Sequence, residues 1–357
     1  MVVISIHGHR NHFVFFGLGD EADARIALRI SSFTDASNLR VGTFRISICL
    51  LFSSIEGLTV TIIDLCTTFS TDERARELLE RLRWPDGPKC VRCMGDVVRL
   101  ANSTKLLYCK SCDYQFTVTA DTVFHDSHLP LIKWLTATYL LCEARKGMSA
   151  NQIKRNIGVS YKTAWYLCHR IRSAMQEVNP EPLDGVLEMD ETYVGGKVHG
   201  KGAQGRRFKN KEIVIGIKQR GGELRFFKAE DVQAGTLAKY IKENISTDVD
   251  VVMTDDHVSY PKAMIEAGIH GRKHETINHS AGVYVDGDIT TNGIESAFSL
   301  LKRGIIGSWH KVSAKHLTAY LNEMTFRFNR RNSHTLFLET LQHMVTANPL
   351  SYEKLTA

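Results

Sequence analysis

Three carboxylates crowd into four positions of the stretch VLEMDETYVGGK (186–197): Glu188, Asp190 and Glu191. Leu187 and Met189 alternate with the acids, and Thr192, Tyr193, Val194 and a glycine pair follow, the pattern of a strand running into a loop. A carboxylate on an apolar strand is costly unless it is paired or holds a cation. Taken alone, the segment also fits an edge strand with solvated acids. Two other stretches argue for more. The apolar run VDVVMT (249–254) delivers Asp255 and Asp256 at its end, and Glu295 lies in TTNGIESAFSLLKRG (290–304). There Ile294, Phe298 and Leu301 mark a helix face, and Lys302, seven residues after Glu295, shares the face of the acid. Asp190, Asp255 and Glu295 on two strands and a helix form a set of hard oxygen ligands for Mg²⁺ or Mn²⁺. Two such ions about 3.5–4 Å apart can clamp the attacking and leaving oxygens of a phosphoryl transfer.

A second ligand set is sulfur. Cys90-x₂-Cys93, fifteen residues and then Cys109-x₂-Cys112 is the spacing of two knuckles closing a tetrahedral Cys₄ zinc site. Four thiolates leave no open coordination position, so this Zn²⁺, one per chain, is structural. Disulfides are the competing use, and a reducing cytosol keeps them open. The alternation around the second knuckle, VVRLANSTKLLYCKSCDYQFTVTADTVF (97–124), completes a small ribbon with too little core to fold without its metal. Cys49, Cys66, Cys142 and Cys168 lack paired spacing and are expected to be buried structural thiols.

In this order, MDETYVGG, TDDHVSY and TNGIESAFSLLKRG resemble the catalytic blocks of DDE transposases from bacterial insertion sequences, in the group with an N-terminal zinc ribbon. The likeness runs from about 58 to 337. It implies an α/β fold, a mixed-sheet RNase-H-like domain that cuts and rejoins DNA, with Asp190, Asp255 and Glu295 as its acidic triad and two Mg²⁺ (or Mn²⁺) ions as cofactors. Lys302 then matches the basic residue that follows the Glu in this type. The intervals of 65 and 40 residues between the acids accommodate a hairpin plus crossover and then a helix. Asn292 is a rival third ligand, because related enzymes can place Asn in the site. Asp256 and Glu191, sequence neighbours of triad acids, are expected to face away from them. The activity implied is cleavage and strand transfer at the ends of an insertion sequence. Its partners are double-stranded terminal repeats and target DNA, with a homo-oligomer holding two ends together. The alternatives are a zinc-ribbon DNA-binding regulator whose RNase-H-like part is inactive, and a nuclease that cuts without joining.

The elements that must position these residues follow from the rest of the chain. Ser70 or Thr71 caps a helix with the apolar stripe Leu78, Leu79 and Leu82, which leads into the ribbon. After an amphipathic helix at 131–145, MSANQIKRNIGVSYKTAWYLCHRIRSAM (148–175) reads as helix, turn, helix, with Gly158 in the turn and Ser160 as the second N-cap. A helix-turn-helix of this charge is a DNA reader, with Tyr161, Lys162, Thr163, Tyr166 and Arg170 facing a major groove or its phosphates. The other reading is a hairpin that only packs. Residues 130–175 carry eight Lys/Arg against one Glu, which accounts for the formal net charge of +6 and points to a polyanion at one surface. The basic loop 197–211 and the FRFNRR segment (326–331) are further candidates for phosphate contact, and His274 and His279 are expected in a loop near DNA rather than as ligands.

The expected organisation is an N-terminal extension at 1–57, helix and zinc ribbon at 58–128, helix-turn-helix at 129–179 and catalytic domain at 183–345. The extension is either upstream sequence ahead of a start near Val60 or an added segment. Its apolar run near Ile46 is too short to span a membrane and no signal peptide is read, so a cytoplasmic, nucleoid-associated protein is expected.

Overall fold

The computed structural model describes residues 61–103, 105–195, 211–277 and 290–357, together with a short antiparallel hairpin of β1 (Ser5–Gly8) and β2 (Asn11–Val14). The hairpin belongs to a unit of its own, and residues from Thr59 onward form a second one.

The second unit begins with α1 (Ile62–Thr68), closed by a capping box between Thr61 and Asp64, and α2 (Asp72–Arg83), capped by Thr71. A three-stranded ribbon follows, β3 (Val97–Arg99), β4 (Leu107–Cys109) and β5 (Gln115–Phe116), antiparallel throughout. Among the described residues its buried core is Cys90, Leu107, Cys109, Phe116 and Ala120, with Trp84, Val91, Val97 and Tyr114 packed against it, so the cysteine cluster must supply what this small burial does not. Next come α3 (Leu131–Glu143), α4 (Ala150–Ile157) and α5 (Tyr161–Ala174). Gly158 adopts the left-handed conformation that ends α4, and the Ser160 hydroxyl accepts from the Thr163 amide to start α5.

A five-stranded mixed sheet follows. Strands β6 (Val186–Gly195), β7 (Lys211–Gln219) and β8 (Leu224–Ala229) form an antiparallel meander; α6 (Ala234–Asn244) then crosses to β9 (Val251–Asp255), which lies parallel to β6. After α7 (Ser259–Glu266), β10 (His274–Ile277) extends the parallel edge, giving the order β10-β9-β6-β7-β8. This is the mixed α/β, RNase-H-like arrangement expected from the sequence. The chain closes with α8 (Asn292–Gly304), a π-helical turn at Ile305–Trp309, α9 (Leu317–Asn329), α10 (Leu336–Thr346) and α11 (Tyr352–Thr356).

Each sheet face has its own core. Leu187, Met189, Ile215 and Ile217 pack with Leu237, Ile241, Tyr260 and Met264 of α6 and α7. On the opposite face Val194, Val214 and Phe226 meet Ile294, Phe298 and Leu301 of α8 and Leu321 and Met324 of α9. Helix α5 is anchored to α9 by a buried ion group, in which Arg172 Nε bonds Glu323 Oε2 at 2.6 Å and Arg327 approaches the other oxygen at 3.1 Å. The helical region and the sheet are thus joined by charge as well as by apolar contact. No helix among the described residues is long and apolar enough to cross a membrane.

Candidate active site

Strands β6 and β9 are paired through Glu188 opposite Met253; two residues further along, Asp190 and Asp255 meet where β9 stops. Ending the shorter strand opens a gap beside β6, and three carboxylates turn into it. One oxygen each of Asp190, Glu191 and Asp255 lies within 4.8 Å of the others. The inclusion of Glu191 corrects the expectation that it faces away. Asp190 Oδ1 accepts the Glu191 amide at 2.7 Å, while Tyr260 of α7 donates its hydroxyl to Glu191 Oε2 at 2.8 Å; the register of β6 with β7 stays regular through both residues, so Glu191 comes to the cluster from the α7 face and Asp190 from the α8 face. Asp255 Oδ1 accepts the His257 amide at 3.1 Å. Asp256 is exposed and is not part of the cluster.

Glu295 comes in on α8. It is exposed in the first turn and is not one of the three clustered acids, yet its charge reaches Asp190. The approach of α8 depends on Gly216, the β7 residue opposite Asp190: a Cβ there would lie 2.5 Å from Ile294 Cδ1 and 2.9 Å from Phe298 Cζ. Lys302 is exposed two turns along the helix, and Asn292 is exposed at its start.

Burial pushes the Asp190 carboxyl up to about 7, and the charges of Glu191, Asp255 and Glu295 act in the same direction, against the Glu191 amide. Glu191 is also raised, first by burial, while the Tyr260 hydroxyl opposes the shift. Like charges gathered in a half-buried gap are the environment a divalent cation relieves, and the donors are all hard oxygens. The residues therefore fit such an ion. At the ribbon, the Cys90–Cys112, Cys93–Cys109 and Cys93–Cys112 sulfurs are 3.5–3.6 Å apart. Four thiolates around one zinc lie about 3.8 Å from each other, so this donor set fits Zn²⁺. Of the remaining cysteines, Cys142 and Cys168 are buried as expected, Cys66 is exposed, and Cys49 lies outside the described residues.

The five residues expected to face DNA do not act alike. Tyr161, Lys162 and Thr163 are exposed on the first turn of α5. Tyr166 instead donates its hydroxyl to the Leu350 carbonyl at 2.6 Å and packs edge-on against Tyr352, so the C-terminal segment covers it. Arg170 is 4% exposed, bonds the His125 carbonyl and lies against the Trp134 and Tyr166 rings. Its charge serves the fold, which corrects its assignment to DNA. In FRFNRR, Arg327 belongs to the buried ion group and Arg330 pairs with Glu177 and Glu339. His274 shares a hydrogen bond with Thr254 on β9, while His279 and most of the basic loop after β6 lie outside the described residues.

Residues 182–329 match the ISXO2-like transposase domain family and residues 70–115 the transposase zinc-ribbon domain family. Among curated proteins, the chain is 29% identical over 278 residues to an uncharacterized protein in transposable element ISH50 of Halobacterium salinarum. That match covers 73% of this chain and 92% of the relative.

Proposed function

Because the chain belongs to the insertion-sequence DDE transposases that carry an N-terminal zinc ribbon, we propose that it binds the ends of such an element and catalyses DNA cleavage and strand transfer. The observation that carries this reading is the meeting of Asp190 and Asp255 at the end of β9, with Glu295 on α8 near enough for its charge to act on Asp190. Asp190, Asp255 and Glu295 would hold two Mg²⁺ or Mn²⁺ ions, and Glu191 sits close enough to share in that work. When bound, the ions supply the positive charge that activates an attacking oxygen and stabilises the leaving 3′-oxygen of an in-line displacement. The protein's own part is to hold its carboxylates on rigid elements. Asp190 must give up its proton for a cation to enter, and Tyr260 orients Glu191 from the buried side. Lys302, exposed on α8, would meet a DNA phosphate beside the site.

Cys90, Cys93, Cys109 and Cys112 would hold one structural Zn²⁺. Tyr161, Lys162 and Thr163, at the exposed start of α5, are the proposed DNA-reading edge of the helix-turn-helix. Two ends must be brought together for transposition, so the active form is a homo-oligomer on DNA.

The test uses duplexes carrying the genomic flanks of the coding sequence and a supercoiled target plasmid, with Mn²⁺ or Mg²⁺. The expected result is metal-dependent nicking at the flanks and joined product. Cutting without joining would make the protein a nuclease, and binding without cutting would make it a regulator with a silent RNase-H-like domain.

A further inference from the structure

Glu188 lies on β6 two residues before Asp190, is 2% exposed, and is not one of the clustered acids. A buried carboxylate that holds no cation needs other partners, and this one has two. Its Oε2 accepts the Ile294 amide at 2.9 Å, and its Oε1 accepts from Arg220 Nε at 3.3 Å. Ile294 is the third residue of α8, so the strand carboxylate satisfies one of the helix's otherwise unpaired amides and sits at its positive end. Arg220, just beyond β7, also reaches the Thr290 carbonyl at 3.4 Å, two residues before the helix begins. Thr291 opens α8 without a side-chain cap of its own. Gly293 explains itself in the same way: a Cβ there would lie 2.6 Å from Glu188 Oε2.

We propose that Glu188 is a positioning residue for the metal site: by capping α8 from the neighbouring strand, with Gly293 admitting the contact, it sets where Glu295 stands relative to Asp190 and Asp255. This rests on the reading of those three acids as the ligand set. The logic is that of a fixed lever. Glu188 and Asp190 share one strand, and Glu295 directly follows the residue whose amide Glu188 holds, so a single hydrogen bond ties the third acid to the strand of the first. A partner of this kind, outside the ligand set, typically changes metal affinity 10- to 100-fold when removed.

The experiment measures Mn²⁺ binding by calorimetry and amide hydrogen exchange in peptides spanning 290–298, on full-length wild-type, Glu188→Ala, Glu188→Gln, Gly293→Ala and Asp190→Asn protein. Glu188→Ala is expected to speed exchange at the start of α8 and to weaken Mn²⁺ binding by roughly 10- to 100-fold. Glu188→Gln keeps an oxygen for the Ile294 amide but turns an NH2 toward the Arg220 donor, so in both readouts it should fall between wild type and Glu188→Ala. Gly293→Ala should reproduce the Glu188→Ala result, and it decides the matter should Glu188→Ala fail to fold. Unchanged exchange and binding in Glu188→Ala or in Gly293→Ala overturns the proposal. So does a Glu188→Gln variant that loses Mn²⁺ with unaltered exchange, because that is the behaviour of a direct ligand. Should Asp190→Asn bind Mn²⁺ like wild type, the ligand-set reading fails instead, and the exchange result alone judges the Glu188 contact.

Discussion

Asp190 is the residue on which the electrostatics of the site converge. Its carboxyl is pushed up to about 7 by burial and by three neighbouring acids, so without a cation the folded protein keeps the proton that an unfolded chain gives up near pH 4. Stability linked to that proton is fully present below about pH 4 and is lost as pH rises through about 7. Asp190→Asn, which never ionises, should therefore melt progressively higher than metal-free wild type between about pH 4 and 7, with the advantage levelling off above. The whole effect is bounded at about 4 kcal/mol, and thermal melts in a chelating buffer measure it. Added Mn²⁺ should reverse the order at pH 8 by stabilising only wild type. That Asp190 and Asp255 come together was legible in the sequence, because carboxylates on an apolar strand and at a strand end are conspicuous. The places of Glu188 and Glu191 were not. Strand alternation assigns faces but does not show that β9 stops short, that Tyr260 reaches across, or that a helix start is waiting for a carboxylate.

At the scale of elements, the second helix of the 148–175 segment divides along its length. The caps and turn were readable, since Ser160 and Gly158 do locally what their residue types favour. Which cations of α5 face outward was not, because a basic residue packed over aromatic rings carries the same letter as a solvated one. Arg170 lies under Trp134 and Tyr166, whereas Lys162 is exposed with its amine 4.4 Å over the Tyr352 ring. Lys162→Ala should accordingly weaken binding to the element's ends and reduce the salt slope by about one, with the melting temperature unchanged. Arg170→Ala should do the opposite, leaving the His125 carbonyl without its donor and costing about 1–3 kcal/mol of stability. Fluorescence anisotropy across a salt series, paired with melts of both variants, separates the two roles; equal losses of affinity in both would return Arg170 to the DNA surface. The ribbon is the opposite case, an element whose cysteine spacing was sufficient to locate it. Cys109→Ser is expected to release one zinc per chain and to unfold the ribbon, while the sheet's two separate cores persist. Metal analysis of the purified protein and its variant checks this.

At the largest scale, the sequence reading ends the helix-turn-helix at 179 and begins the catalytic domain at 183, but the packing runs through that point. Glu323 on α9 is fully buried between Arg172 of α5 and Arg327. Glu323→Ala leaves two buried guanidinium groups unpaired and should cost about 3–5 kcal/mol. The loss should appear as one lowered transition in calorimetry, because the pair spans the helical region and the sheet; separate transitions would show the two to be independent. A frame of this kind suits the proposed two-ion site, whose ligands would come from β6, β9 and α8 and would have to keep their spacing. The central claim is that Asp190, Asp255 and Glu295 hold the ions that cut DNA. Its most direct measurement is Mn²⁺-dependent cleavage of end-containing duplex by wild type and Asp255→Asn, with binding followed in the same samples. Cleavage by the variant should fall by several orders of magnitude while binding persists. Wild-type cleavage by Asp255→Asn would contradict the account.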